Sequence, residues 1–168
     1  MTETTVDDPE GAAARRARIT ADLVEKTGID DVMIERLVRS FYARVQADPV
    51  IGPIFAARVH DWEAHYTKLG AFWSSVALMT GRYHGQPMQV HIELPLAAEH
   101  FDRWIATFEA TANELCPAQA AAHFIERARR IADSLELGIG SRQGKIVRPR
   151  FSAVVRRSAR PSPDVVGG

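Results

Sequence analysis

Residues 61–79 read DWEAHYTKLGAFWSSVALM, and this stretch carries the strongest structural signal in the chain. Its large apolar side chains recur at intervals of three and four residues, the spacing at which side chains share one face of an α-helix. One titratable ring, His65, lies on the same apolar face. The pattern predicts a long amphipathic helix over residues 61–79 with a histidine on its apolar side. The apolar positions are Trp62, Tyr66, Leu69, Phe72, Trp73 and Val76.

The same periodicity predicts three further long helices. One begins after Gly28 with Asp30 or Asp31 as its N-cap and ends before Pro49, because the residue before a proline disfavours helical backbone. The last one is expected to stop at Gly138, since glycine commonly follows a helix C-terminus. The sequence contains no alternating strand pattern and no internal repeat, so we predict an all-α fold. The remaining predicted elements are helices over residues 98–115 and 117–137, a short broken segment over residues 88–94 and a short helix over residues 12–24.

Composition and charge divide the chain into a body and two extensions. Of its 168 residues, 46% are hydrophobic and 25% are charged, as in an ordinary globular domain. Lys and Arg balance Asp and Glu at 21 each, but residues 141–168 hold seven of the basic residues and one acid. We predict a polar N-terminal extension over residues 1–28, the folded domain over residues 29–140 and a basic disordered tail over residues 141–168. The tail is interpreted as a solubilising extension, with binding to nucleic acid or anionic lipid as the less favoured alternative.

Two features of the sequence bear on its location in the cell. The longest uncharged stretch, near residues 69–81, is interrupted by Ser74, Ser75 and Thr80 and is too short to cross a membrane. The acidic first ten residues lack the basic start and apolar core of a secretory signal. We therefore expect a cytoplasmic protein without a membrane span.

The histidines and the lone cysteine exclude several kinds of site. His60 and His65 are five residues apart and do not share a helix face as a zinc-binding pair would. Serine-hydrolase, phosphate-loop and dinucleotide-binding motifs are absent from the sequence. Cys116 has no second cysteine with which to form a disulfide and is interpreted as an inert buried thiol. The histidines interpreted as surface residues are His84, His100 and His123.

His65 and His91 admit two interpretations. His91 follows His65 by 26 residues and lies in the short broken segment after the long helix. Such a histidine suits an axial haem ligand, because the imidazole must approach the iron while aromatic side chains wall the macrocycle. A hydrogen-bonded core histidine and a turn histidine explain the same pattern, and spacing alone leaves both interpretations open.

Short strings of unusual sequence follow one another over residues 31–140. They are SFYARV (40–45), DP (48–49), IGPIF (51–55), Trp62 with His65, FWSS (72–75), GRYHGQP (81–87), HIELP (91–95) and FDRW (101–104). In this order they closely resemble the group III truncated haemoglobins. The resemblance implies a truncated globin fold, a two-over-two helical sandwich that encloses one haem b.

The resemblance also implies roles for individual residues. His91 matches the proximal ligand of the haem iron, with Pro95 and the preceding Gly-Gln-Pro turn fixing its ring. Tyr42 matches a distal tyrosine whose phenol donates a hydrogen bond to a bound gas, and Trp104 matches a distal tryptophan, which can only donate. His65 matches the distal histidine that lines the ligand entry path. The residues expected to wall the pocket are Phe55, Leu69 and Phe72, and Lys68 either reaches a haem propionate or stays a solvated surface lysine.

The function implied by the resemblance is a haem-binding globin that reversibly binds dioxygen and other diatomic gases at a polar distal site. One alternative is haem-dependent peroxidase or nitric-oxide and oxygen redox chemistry, with His65 as an acid or base. Others are a six-coordinate haem sensor or electron-transfer module, in which His65 itself ligates iron, and a helical interaction module without a cofactor. A reductase is a further candidate partner. No specific nucleic-acid partner is expected, and the sequence leaves the choice between monomer and dimer open.

Overall fold

The structure is a computed structural model that describes residues 9–152, and within this range the chain forms seven α-helices joined by turns. The predicted all-α fold is confirmed. No helix in the described part of the chain is both long and apolar enough to span a membrane. The helices are α1 (Pro9–Thr27), α2 (Asp31–Ala47), α3 (Gly52–Ala56), α4 (Trp62–Leu78), α5 (Pro87–His91), α6 (Ala98–Leu115) and α7 (Ala118–Arg142).

Local chemistry explains where the two central helices begin and end. The Asp30 carboxylate accepts the backbone N–H of Met33 at 2.7 Å and caps α2, and Asp61 accepts that of Ala64 at 3.1 Å and caps α4. Helix α4 ends where Met79 takes the left-handed conformation, with φ at 59°. The helices predicted from periodicity around His65 and after Gly28 are therefore confirmed to within a residue or two.

Four long helices pack as two layers. Helix α2 packs on α4, α6 packs on α7, and α2 crosses α6 to join the two pairs. The join is aromatic, since the ring of Phe108 lies 5.1 Å from that of Phe41 and stacks on Trp73 at 4.9 Å. Trp73 in turn meets Phe124 of α7 edge-on at 6.1 Å. Such offset and edge contacts add to the free energy of burying the rings and fix how the layers cross.

Helix α7 does not stop at Gly138, as the sequence suggested, but continues to Arg142. Both glycines in its last turns serve close packing rather than termination. A Cβ on Gly138 would collide with Sδ of Met88 in α5, and a Cβ on Gly140 would collide with the side chain of Val147. These glycines let α5 and the following chain approach the backbone of α7 directly.

The prediction of a disordered tail from residue 141 is wrong for residues 141–152. The chain finishes α7, turns at Gly144 with φ at 70° and runs back along the helix. We call residues 145–152 the C-terminal strap. The carboxylate of Asp133, which is only 4% exposed, accepts three consecutive backbone N–H groups of the strap, at 2.8–3.0 Å, together with the hydroxyl of Ser152. The basic, proline-rich composition suggested disorder, but a single buried carboxylate orders this segment. The predicted disorder of residues 153–168 lies outside the described residues.

Burial and hydrogen bonding act in opposite directions on that carboxylate. Burial raises the pKa of Asp133, but the hydrogen bonds from Ser152, Phe151 and Arg150 outweigh it, and the pKa lies below its ordinary value. Asp133 is therefore ionised at neutral pH, and its negative charge holds the strap by charge-assisted hydrogen bonds.

The predicted N-terminal extension contains a longer helix than its sequence suggested. Helix α1 covers Pro9–Thr27 and packs on α4 and α7. The hydroxyl of Thr20 donates to the carbonyl of Leu78 at 2.7 Å, close to the end of α4. Residues 1–8 lie outside the described residues.

His123 is half-buried and supports the end of α4, which corrects its interpretation as a surface histidine. Its Nε2–H donates to the carbonyl of Ala77 at 2.8 Å, and its Nδ1 accepts from Arg127 at 3.1 Å. Arg127 also donates to the carbonyl of Val76 at 3.0 Å. Both imidazole nitrogens are satisfied in this way only when the ring is neutral.

We predict that acidification destabilises the protein through His123. Burial lowers the pKa of this imidazole, and the nearby charge of Arg127 lowers it further. A depressed pKa means that the stabilising contribution is complete above the unfolded value of about 6.5 and is lost as the pH falls through the folded value. Urea unfolding at several pH values between 7.5 and 5 should therefore show a steeper loss of free energy in the natural protein than in His123→Gln, whose amide donates to Ala77 without titrating. Equal slopes in the two proteins would contradict this role.

Candidate functional site

Four aromatic rings meet at one end of the α2–α4 pair. The ring of Tyr42, on α2, lies 5.6 Å from Phe55 on α3 and 5.8 Å from His65 on α4. Trp62 closes the group, at 5.5 Å from His65 and 6.2 Å from Tyr42. Tyr42 and His65 meet almost edge-on, with 83° between their planes. The packing gives both polar rings fixed orientations inside a mainly apolar shell.

The phenol of Tyr42 is buried. The indole of Trp104, whose nitrogen can only donate, acts on the Tyr42 oxygen in the sense of a hydrogen-bond donor. Burial raises the pKa of Tyr42 far above its ordinary value, and the bond from Trp104 offsets only part of this rise. The phenol is therefore neutral, and its own O–H can donate to a third group.

Trp104 is itself held firmly on α6. Its ring stacks on Phe108 at 5.7 Å with 17° between the planes, and it meets Phe41 edge-on at 5.4 Å. Trp104 is thus a rigidly held donor on α6 that acts on the buried phenol of Tyr42 on α2.

His65 carries a buried ring nitrogen without a partner. Among the described residues, its Nε2 is the buried side-chain nitrogen or oxygen for which no hydrogen-bond partner is found. Burial lowers the pKa of the ring, and the charges of Lys68 and His91 lower it further. The imidazole is therefore neutral near pH 7. Buried polar atoms are rarely left unsatisfied, so Nε2 calls for a partner from outside the protein chain.

His91 ends the five-residue helix α5 and has one nitrogen committed. Its Nδ1 lies 2.6 Å from the carbonyl oxygen of Pro87, so this nitrogen carries the proton and donates. Nε2 is left with its lone pair. Metal-binding histidines characteristically donate their second N–H to a carbonyl in this way, which fixes the tautomer and the ring orientation.

Comparison with known proteins agrees with this geometry. A family model described as bacterial-like globin matches residues 22–136. The chain belongs to this globin family. The group 3 truncated hemoglobin of Campylobacter jejuni is 32% identical over 113 residues, which cover 64% of this chain and 89% of that protein. The crystal structure of group III truncated hemoglobin from Campylobacter jejuni matches with a TM-score of 0.61 over the same shares, at 32% identity. The fold is that of a truncated globin, as the resemblance implied.

Membership of the globin family implies a haem, and the side chains of this globin suit one. The Nε2 of His91, whose other ring nitrogen is hydrogen-bonded to Pro87, is a donor atom of the kind that ligates haem iron. The Nε2 of His65, for which no partner is found among the described residues, lies beside the neutral phenol of Tyr42, with the two ring centres 5.8 Å apart. His91 also acts electrostatically on His65, so the two histidines lie within reach of each other's charge.

The other residues predicted to contact the cofactor lie further along α4 or at its surface. Leu69 and Phe72 are half-buried and pack against the hydrophobic core. The ring of Phe72 contacts Trp73 at 5.6 Å and Tyr83 at 5.2 Å. Lys68 is exposed and lies close enough to lower the pKa of His65. The structure thus groups Tyr42, Phe55, His65 and Trp104, and places Phe72 in a neighbouring aromatic cluster.

Trp62 belongs to the aromatic group, although our sequence reasoning placed it only on the apolar face of the helix and among the motif residues, without a role in the site. Its half-buried ring contacts Tyr42, His65 and Tyr66 and so helps to hold these rings in place. A signal was present in the sequence, since Trp62 precedes His65 by three residues and shares its helix face.

We predict that removing the charge of Lys68 raises the pKa of His65. In Lys68→Met the repulsion between the ammonium and a protonated imidazole is lost, so the ring should titrate closer to its ordinary value. NMR titration of the histidine ring signals measures this directly. Lys26→Met is the matched control, because Lys26 lowers the pKa of His123 instead. A shift of His65 in the control, or none in Lys68→Met, would contradict the assignment.

Proposed function

We propose that this globin holds haem b through His91 and reversibly binds dioxygen and other diatomic gases beside Tyr42, His65 and Trp104. One observation carries the proposal: the buried Nε2 of His65, for which no partner is found among the described residues, lies beside the neutral phenol of Tyr42 inside an aromatic shell. A site that only packed a core would not leave such a nitrogen unsatisfied.

When bound, haem supplies an iron centre with an open coordination position for a small ligand. The hydrogen bond that His91 makes with one ring nitrogen prepares its other ring nitrogen to bind the iron. Donation from Nδ1 to the Pro87 carbonyl makes Nε2 a stronger donor and holds the ring in one orientation. We assign His91 as the proximal ligand on this basis.

Tyr42 acts as the principal hydrogen-bond donor to the gas. Dioxygen gains partial negative charge on binding, and a neutral phenol stabilises that charge in surroundings of low dielectric constant. The hydrogen bond from Trp104 withdraws electron density from the Tyr42 oxygen, which makes the phenol a better donor. Carbon monoxide develops less charge and gains less from the same bond.

His65 supplies a second polar contact and borders the pocket. Because its ring is neutral near pH 7, its Nε2 either donates or accepts according to the tautomer. Phe55, Leu69 and Phe72 are assigned to the apolar wall of the haem pocket, and Lys68 to its rim, where an ammonium group can meet a haem propionate.

We predict that Tyr42→Phe accelerates oxygen dissociation by about 10- to 100-fold, because a hydrogen bond to a charged group contributes roughly 1.5–3 kcal/mol. Stopped-flow displacement of oxygen by carbon monoxide measures the rate. Trp104→Phe should have a smaller effect in the same direction, since it weakens the donor without removing it.

Tyr66→Phe is the matched control for this experiment. It makes the same chemical change one residue after His65, where the hydroxyl is bonded to Gln46 at 3.0 Å. The rate should stay close to that of the natural protein. If Tyr42→Phe and Tyr66→Phe gave equal rates, the assignment of Tyr42 as the distal donor would be wrong.

A further inference from the structure

The C-terminal strap lies beyond residues 22–136, the part of the chain that the globin family model matches. It is nevertheless bound tightly to the globin core. Asp133 fixes the backbone of residues 150–152, and Val147 packs against Gly140. One side chain of this segment, Arg150, contacts both α7 and a second helix, α6.

The guanidinium of Arg150 joins α7 to the start of α6. Its Nε and Nη2 donate to the two carboxylate oxygens of Glu136, each at 2.9 Å, and Glu136 is only 8% exposed. Its Nη1 donates to Asp102 at 2.7 Å, and Nη2 also reaches the carbonyl of Ala98 at 3.3 Å. A forked contact of this kind fixes both the distance and the angle between the groups it joins.

The segment that carries His91 is held on both its N-terminal and its C-terminal side, and the Arg150 contacts hold the C-terminal side. On its near side, α5 is seated on α7 where Met88 lies over Gly138, and Glu93 pairs with Arg142 at 2.7 Å. On its far side, the loop that follows His91 enters α6 at Ala98, the residue whose carbonyl Arg150 holds. The chain from Met88 to Ala98 is therefore held against α7 at both ends, and Arg150 makes the contact at the C-terminal end.

We propose that Arg150 is a positioning residue for the proximal histidine. By locking the first turns of α6 to α7, it sets the course of the loop from His91 to Ala98 and thereby the tilt of the imidazole. The inference rests on the proposed function, in which His91 ligates the haem iron. It adds that a segment outside the part matched by the globin family model sets the orientation of that ligand.

Arginine is the residue type that this role needs. Lysine is a point charge on a flexible stem and cannot bind both oxygens of Glu136 while reaching Asp102 and Ala98. The strap backbone is fixed separately through Asp133, so a change at Arg150 removes the link to α6 and leaves the segment in place.

The test is the iron–histidine stretching frequency of the ferrous haem protein, measured by resonance Raman spectroscopy on the full chain. In Arg150→Gln the frequency should shift and haem dissociation should accelerate, because the loop that carries the proposed ligand loses one of its two attachments to α7. Asp102→Asn should shift the frequency in the same direction and by less. Asp102 is exposed, so this variant keeps the test valid if Arg150→Gln folds poorly.

Arg44→Gln is the matched control, because Arg44 also ties α6 to another helix through Glu114 and Thr111, far along α6 from its start. A merely stabilising ion pair would lower the melting temperature in both proteins and leave the frequency unchanged. If the natural protein shows an iron–histidine band and neither Arg150→Gln nor Asp102→Asn moves it, the inference is overturned while the proposed function stands. If the band of the natural protein persists unchanged in His91→Gly, the proposed ligation by His91 fails, and the inference fails with it.

Discussion

The hydrogen bond between Nδ1 of His91 and the carbonyl of Pro87 is the constraint on which the functional site depends. It spans a single turn of a five-residue helix that has little stability of its own. The helix keeps its place because Met88 sits directly over Gly138 of α7, where a larger residue would collide. Packing of Met88 against Gly138 thus helps to hold the helix in which the bond forms, and the bond commits one of the two ring nitrogens of His91.

On the other side of the site, the fold shields polar groups of Tyr42 and His65 from water. Tyr42 is 5% exposed, and burial keeps its phenol neutral beside the donor Trp104. His65 keeps a buried nitrogen that the protein leaves without a partner. The aromatic contacts between α2, α4 and α6 hold these rings still, so their orientation is set before any ligand arrives.

Much of this arrangement could be predicted from the sequence, and the failures have a common physical cause. Periodicity and caps located α2 and α4, and the order of short motifs pointed to Tyr42 and His91 as site residues. Gly138, however, was interpreted as a helix stop, because sequence shows a glycine without showing the neighbour that needs its space. The strap held by Asp133 and the half-buried His123 were missed for the same reason. Each depends on contacts between residues far apart in the chain, which local patterns do not encode.

Absorption spectroscopy of the haem protein and of His91→Gly, with and without added imidazole, tests the central claim most directly. The account predicts that the reduced natural protein shows a haem band that changes with carbon monoxide. It also predicts that His91→Gly loses haem or shows an altered band, and that imidazole restores the original spectrum by filling the vacated position. A spectrum of His91→Gly that matches the natural protein before imidazole is added would show that another residue ligates the iron, and would contradict the account.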